Sequence, residues 1–516
     1  MESLIVEKIP IPIPKAKQVS LKSYWLTIGE MRFDASFYAK EAVVADRTLK
    51  ETGYPLLDLA ELTKNVFYPP RVKRYYTNKA SEGTPYLTSS ETQWFIRKPE
   101  YIFSKKLRNL DEWYVKDGWI LLTRSGTVGL LIVATKDLEK YILSEHMIRI
   151  VPKEDTLTGY LYAYLSSWFG QTYISKEIFG GVVEEVEPHH IQAIPVPKLP
   201  DEIQKIVHSN MIKVSGMREK ARQMLRDAEK LLYKELSVPE LEIDVNRQSF
   251  TVRSSELDMR FDASFHDPIL RTVKDKLQNA RWPLKRLDDK EVSKAIFIPN
   301  RFKRTYVNKD FGVPFLSGTN IIQTKPHNLK YLSKRTRNLD KYLLREGMIL
   351  IAARGTIGRI MPITKSTNGW AASDNIARII PNEVDYGFLS CFLNTTYGQT
   401  QLIGQTAGSI VNLIQPSHIG EVQVPMPSED IQKMIGNLVV EAYELKEKAN
   451  IIETFTVNVL EEMLQEGRKA DVRSYWSTFE IISDENLDVA QGLIEEKQGQ
   501  LGSWDELKKE TGLDEI

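Results

Sequence analysis

The heptapeptide Met31-Arg32-Phe33-Asp34-Ala35-Ser36-Phe37 returns unchanged as Met259-Arg260-Phe261-Asp262-Ala263-Ser264-Phe265, 228 residues later. Other landmarks recur at nearly the same interval. Lys73-Arg74-Tyr75-Tyr76-Thr77-Asn78-Lys79 returns as Lys303-Arg304-Thr305-Tyr306-Val307-Asn308-Lys309, and Arg108-Asn109-Leu110-Asp111 as Arg337-Asn338-Leu339-Asp340. Gly118, Gly126 and Gly129 return as Gly347, Gly355 and Gly358, and Gly170-Gln171-Thr172 as Gly398-Gln399-Thr400. A period this long is no solenoid repeat; each copy has the size of a domain plus a connector. Two such copies in one chain can be related by an approximate two-fold axis, as in a homodimer fused into one polypeptide.

Each copy begins with a mixed α/β part. Trp119–Thr123 and Met348–Ala352 are short apolar runs of strand type, each preceded by a glycine turn. Gly126–Val133 reads as a second strand after a tight turn, and Ile148–Pro152 and Ala377–Pro381 alternate in the manner of strands. Tyr160–Ile174 and Tyr386–Leu402 carry apolar residues at helical spacing. A proline-rich lead, Ile194–Pro200, then gives way to a stretch with an acidic start at Asp201 and Glu202 and an apolar stripe from Ile203 to Leu232. The second copy repeats this from Glu429, with a stripe from Ile431 to Leu460. A helix of about 35 residues would be about 50 Å long. Two such stripes are simplest to bury against each other. The expected fold is therefore α+β, with two tandem mixed α/β domains joined by two long antiparallel, coiled-coil-like helices in pseudo-two-fold symmetry and held at opposite ends of the pair. The expected boundaries are an N-terminal segment 1–21, a first domain 22–200, a helix 201–236, a second domain 237–428, a helix 429–467 and an acidic extension 468–516.

Hydrophobic residues make up 42% of the chain, which excludes a disordered or fibrous protein. No apolar run is long enough for a membrane span, and Met1–Ser20 lacks the continuous apolar core of a signal peptide. The lone cysteine, Cys391, cannot form an internal disulfide and reads as a small core residue. These features suggest a cytoplasmic protein. The formal net charge is zero, but charge is segregated along the chain. Lys64–Arg108 holds ten Lys/Arg against three Asp/Glu, and Lys294–Arg345 holds twelve against two. Asp137–Glu187 and Gly467–Ile516 are acidic, with nine against four and twelve against six in the opposite sense.

Basic faces on a neutral body direct attention to nucleic acid. Each copy has a Lys/Arg run with tyrosine: Arg71, Lys73, Arg74, Tyr75 and Tyr76, then Arg301, Lys303, Arg304 and Tyr306. Lys and Arg neutralise phosphates and release counterions, while Tyr bonds a phosphate or packs on sugar. Polar loops follow, with Ser89, Ser90, Thr92 and Gln93 in the first copy and Ser317, Thr319 and Asn320 in the second. Asn and Gln can pair bidentately with adenine. Arg124 and Arg354 open the glycine turns. The framework glycines repeat while the polar loops diverge, which is the pattern of one scaffold reading two different sequences.

The order of features resembles the specificity subunit of type I restriction-modification systems. That family carries a Pro-aromatic-Leu-polar-Asn-Ile segment, matched by Pro314–Ile321 and more loosely by Pro85–Ser90. A Gly-x-Ile-Leu strand and an Arg-Gly-Thr-Ile-Gly turn follow, as in Gly347–Leu350 and Arg354–Gly358, with the variant Arg124–Gly129. A Pro-x-Pro lead then precedes a long spacer helix, as in Pro195–Pro197 and Pro425–Pro427. The usual Glu before Gln in that lead is Ile203 and Ile431 here. The resemblance spans about residues 22–467. It implies two target-recognition domains, each reading one half of a bipartite double-stranded DNA target, with the helices setting the gap. It also implies two methyltransferase subunits and motor-nuclease subunits as partners. S-adenosylmethionine, ATP and Mg would sit on those partners, with no cofactor and no catalytic or metal residue in this chain.

The enzyme reading fares poorly. The chain has no Gly-x-x-x-x-Gly-Lys-Ser/Thr phosphate loop and no Asp/Asn-Pro-Pro-aromatic methyltransferase motif. Gly355–Gly358 reads as a turn. His189 and His190 have no further His or Cys nearby for a metal. Glu184, Glu185 and Glu187 have Asn412, Leu413 and Gln415 as counterparts, which argues against a catalytic role shared by both copies. The alternatives are a DNA-modifying or nuclease enzyme with its own active site, or a scaffold that binds no DNA.

Overall fold

The computed structural model describes residues 40–77, 81–104, 107, 109–178, 185–241, 249–257, 261, 263, 265–355, 357–404 and 413–493. Outside these residues lie Met1–Ser20, the motif Met31–Phe37, most of its second copy, Asn78, Lys79, Arg108, Glu184, Thr356, Asn412 and the acidic end from 494 onward.

The first module contains strands β1 (Leu56–Asp58), β2 (Thr63–Phe67), β3 (Tyr76–Thr77), β4 (Thr84–Leu87), β5 (Glu100–Ile102), β6 (Ile120–Thr123), β7 (Leu131–Val133), β8 (Ile142–Leu143), β9 (Met147–Pro152) and β10 (Pro195–Pro197). They form a sheet of order β2-β9-β6-β7, a second of order β3-β5-β4-β8, and a ribbon of β1 with β10. The central β6 and β9 are buried at nearly every position, so their apolar runs lie between two packed layers. Helices α1 (Thr158–Ser166) and α2 (Trp168–Lys176) cover the first sheet. The single apolar stretch seen in the sequence is broken because Ser167 is extended, and its side chain caps α2 by accepting from Gly170 N–H. The prolines of β10 are tolerated because this ribbon has only two strands. The long helix α3 (Asp201–Leu236) follows.

The second module repeats this plan with β11 (Leu284–Arg286), β12 (Ser293–Phe297), β13 (Tyr306–Val307), β14 (Gly312–Leu316), β15 (Lys330–Ser333), β16 (Ile349–Ala352), β17 (Ile360–Pro362), β18 (Ala371–Ala372), β19 (Ile376–Pro381) and β20 (Gln423–Pro425). The orders are β12-β19-β16-β17 and β13-β15-β14-β18, with a ribbon of β11 and β20. Even the irregularity in the β2–β9 pairing at Thr63/Asn65 has its match at Ser293/Ala295. Helices α4 (Tyr386–Asn394) and α5 (Thr396–Gly404) break as α1 and α2 do, and α6 (Glu429–Glu466) is the second long helix. Cys391 is buried in α4, and burial pushes its thiol pKa up.

The long helices run antiparallel. Ile203 to Met217 of α3 share a core with Ala449 to Leu464 of α6, while Ala221 to Leu236 share another with Ile435 to Tyr443. Each core also contains one module, so the modules occupy opposite ends of the pair. The middle of the pair is polar, unlike the apolar stripe read from the sequence. Arg218 donates to Asn450 Oδ1 at 2.7 Å and pairs with Glu453. Burying polar groups along such a seam costs stability unless they are satisfied, but fixes the register of the two helices. A further helix, α7 (Val472–Ser483), packs on α3, where Asn210 Nδ2 donates to Phe479 O at 3.1 Å.

The modules also touch directly. Residues 93–98 leave the first module and lie along the second. Phe95 N–H donates to Ile322 O at 2.8 Å, and Thr324 N–H donates to Gln93 O at 2.9 Å. The Phe95 ring is 2% exposed and belongs to the core of the second module, edge-on to Tyr443 with centroids 5.1 Å apart. Burial of such a ring contributes about 2–3 kcal/mol. Holding the modules apart by the helices alone is thus only part of the architecture.

Candidate nucleic-acid interface

The segments singled out by the sequence leave neighbouring strands. The basic run leads into β3 and β13, the polar loop follows β4 and β14, and the glycine turn follows β6 and β16. Gly129 and Gly358 have φ of +97° and +82°, a conformation open to glycine. Gln171 Nε2 donates to Gly129 O at 3.0 Å and to Leu165 O at 2.9 Å, and Gln399 Nε2 donates to Gly358 O at 2.7 Å and to Leu393 O at 2.8 Å. The repeated Gly-Gln-Thr motif is therefore a clamp on the turn.

A second framework device was not anticipated. Arg149 and Arg378 stand at equivalent points of β9 and β19, and both are almost fully buried. Arg149 donates to the carbonyls of Ser144, Met147, Leu143 and Trp113 at 2.6–3.3 Å. Arg378 donates to those of Ser373, Ile376 and Ala372 at 2.5–3.0 Å. Burial lowers their pKa values to about 9 and about 10. Each guanidinium holds the loop before its strand, and that loop carries Glu145 in one module and Asp374 in the other. Glu145 pairs with Arg74 at 3.5 Å, and Asp374 pairs with Arg304. Arg74 also donates to the Tyr86 hydroxyl, whose pKa is pushed up to about 12 by burial. Arg304 lies over the rings of Phe302 and Phe315. One arginine of each basic run is thus oriented from within.

The rest of each run is open. Arg71, Lys73 and Tyr75 are exposed in the first module, with Lys73 Nζ 5.4 Å from the Tyr75 ring centroid. Arg301, Lys303 and Tyr306 are exposed in the second. Ser90 and Thr319 are exposed, and Ser89, Ser317 and Arg354 are half-buried. Tyr76, read with the first basic run, is 45% exposed beside Tyr75; sequence reasoning missed Lys330, whose Nζ lies 4.8 Å from the Tyr306 ring centroid. Tyr76 was visible within the basic run; nothing local marked Lys330, which reaches Tyr306 across β15 and β13.

Four candidate readers are corrected. Thr92 is fully buried, its hydroxyl donating to Ser89 O at 2.7 Å. Gln93 Nε2 is buried at the junction of the modules. Asn320 uses both ends of its amide internally: Oδ1 accepts from Ser317 N–H at 2.9 Å and from its hydroxyl at 2.6 Å, while Nδ2 donates to Gln323 Oε1 at 3.1 Å and to His327 O at 3.2 Å. Arg124 is 3% exposed, stacked 4.2 Å from the Tyr68 centroid and paired with Glu185 at 3.1 Å and with Glu187. Burial alone would raise the Glu187 pKa, but hydrogen bonds from Arg124 and Tyr68 outweigh it and hold the carboxyl below its ordinary value.

Chemistry by this site finds little support in the geometry. Ser125 Oγ lies 2.6 Å from His146 Nδ1, but Glu145 Oε1 is 3.6 Å from His146 Nε2, beyond a hydrogen bond. His190 Nδ1 accepts from Glu187 N–H at 3.2 Å and so caps the short helix Pro188–Gln192. Among the described residues no three metal-ligating side chains converge, and no helix is long and apolar enough to cross a membrane.

A family model described as the type I restriction modification DNA specificity domain matches residues 54–214 and again 276–453. No curated protein sequence matches the chain. Among solved structures, the S subunit of a type I restriction-modification system from M. genitalium aligns at 13% identity over 80% of this chain and 96% of that one, with a TM-score of 0.34. The HsdS subunit from Thermoanaerobacter tengcongensis aligns at 15% identity over 81% and 97%, with a TM-score of 0.25. The type IIG restriction endonuclease BpuSI aligns at 11% identity over 37% and 30%, with a TM-score of 0.27.

Proposed function

Since the chain belongs to the type I restriction modification DNA specificity domain family in both of its halves, we propose that it is the non-catalytic recognition subunit of such a system and reads a bipartite double-stranded DNA target. The observation that carries this reading is the equivalence of the two modules. Each presents an exposed Lys/Arg/Tyr run before the same strand of the same sheet, at opposite ends of one antiparallel helix pair.

Phosphates would be met by Arg71, Lys73, Tyr75 and Arg74 in one module, and by Arg301, Lys303, Arg304, Tyr306 and Arg354 in the other. Base edges would be met from Ser89, Ser90, Ser317 and Thr319, whose loops differ between the modules. The helix pair sets the gap between half-sites, assisted by the Phe95 contact. Two methyltransferase subunits dock on the helices and modules and bring S-adenosylmethionine; motor-nuclease subunits bring ATP and Mg. A cytoplasmic location follows from that assembly.

The test is to express the chain with its methyltransferase partner and map methylated sites across a genome. A two-part motif with a fixed gap is expected. Methylation or hydrolysis by this chain alone, or sequence-independent binding in the full complex, would overturn the reading.

A further inference from the structure

Four parts of the chain meet around one cavity of about 330 Å³. The first module supplies Gln93 and Arg97, α3 supplies Arg218 and Arg222, the second module supplies Lys325, and α6 supplies Glu453. Positive charge outnumbers negative here. Glu453 is shared by Arg218 and Lys325, the latter at 3.1 Å. Arg97 pairs with Asp137 at 3.2 Å, but Asp137 also serves Lys140 at 2.9 Å and Arg226 at 3.3 Å. Among the described residues Arg222 forms no ion pair with a carboxylate, and it donates to Thr324 Oγ1 at 3.0 Å. Yet Arg222 is only 7% exposed.

A guanidinium buried without a counter-charge is costly. Arg97, Arg218, Arg222 and Lys325 all line the cavity, with Glu453 as the carboxylate among its lining residues. Guanidinium donors facing one polar cavity suit an oxyanion, which would accept their hydrogen bonds and supply the missing charge.

We infer that this cavity is a phosphate-binding site, in which Arg222 is the principal ligand, assisted by Arg97 and Arg218. Its ligand is a phosphate group, either free or part of a DNA backbone, and its occupation ties the two modules and both long helices to one anion. The inference rests on the charge balance of the junction and does not depend on which bases the modules read.

The experiment is a thermal melt of the full chain in inorganic phosphate against chloride at matched ionic strength. The midpoint is expected to rise with the logarithm of phosphate concentration, by at least about 2 °C at about a hundredfold excess over the dissociation constant, because a ligand that binds only the folded state stabilises it. Arg222→Met keeps most of the volume and removes the charge, so it should abolish the rise. In chloride that variant should melt at or above the wild-type midpoint, since no carboxylate is left unpaired. A wild-type rise no larger than chloride gives, an equal rise in Arg222→Met, or a variant less stable than wild type in chloride would each overturn the inference. Arg222→Gln, a second neutral variant, must lose the rise as Arg222→Met does, because phosphate also stabilises proteins without a site by exclusion from their surface. Repeating it with saturating DNA duplex separates the sources: loss of the phosphate effect assigns the site to a DNA phosphate, and its persistence assigns it to the free anion.

Discussion

Arg124 and Arg354 occupy the same place in the two modules, on the turn after the central strand, and are treated in opposite ways. Arg124 is sealed between Tyr68 and two carboxylates, Glu185 and Glu187, and Glu185 reaches on to Arg71 at 2.5 Å. In the second module those acids are Leu413 and Gln415. Arg354 is half-buried, forms a backbone bridge with Leu413, and has no hydrogen bond or ion pair from its side chain among the described residues. One framework thus carries a basic face that is more fully neutralised in the first module than in the second. The comparison teaches that an arginine's place in a repeat does not decide its role; the residues on the segment bridged to it do.

The largest effect should come where the modules are alike. Arg378→Met would remove hydrogen bonds to three buried carbonyls and Arg149→Met to four. Each variant should lose about 3 kcal/mol of stability, with Arg149→Met the more damaged, as read by urea denaturation. A negligible loss in either variant would break the parallel between the two loops.

Next in size is the acid response of the link between modules. Glu453 accepts from Tyr162 of the first module at 3.0 Å and from Lys325 of the second at 3.1 Å. Burial raises its pKa, but Arg218 and then Lys325 outweigh that and bring it down to about 2. The folded pKa lies below the unfolded one, so the contribution is complete above about pH 4.5 and is lost as pH falls toward about 2. Its size is about 3 kcal/mol. Calorimetry through that window should show one melting transition dividing into two, and Glu453→Gln should show the division already at neutral pH.

The arginine pair itself provides a smaller effect. Arg354→Ala should weaken DNA binding about tenfold, while Arg124→Ala should leave it within about twofold and lower the melting midpoint instead. Parallel losses of affinity would refute the contrast. Smallest of all, Glu185→Gln should release Arg71 and steepen the salt dependence of binding by about one counterion, measurable by titration at several salt concentrations.

Much of this was legible before any coordinates. The repeat announces two equivalent modules, and the glycine turns, the central strands and both long helices lie where their patterns put them. The exposed basic runs were legible because Lys73 and Lys303 have too long and polar a side chain to be buried without a partner. The readers Thr92, Gln93, Asn320 and Arg124 were not, because residue type states what a side chain can bond and says nothing of which group claims it first. Asn320 has the chemistry to read adenine, yet Ser317, Gln323 and His327 use it. The polar centre of the helix pair was hidden for a related reason. Arg218 and Glu453 look like solvated helix positions until two modules close over them.

Phe95 has a consequence for anyone who would cut and splice this chain. By sequence it belongs to one module, and by packing to the other. A chimera that imports a foreign first module brings a foreign plug to the socket formed by Tyr443 and Ile322. Exchange of specificity by swapping modules should therefore succeed or fail on this one aromatic fit, and matching residues 93–98 to their new host is the repair to try first.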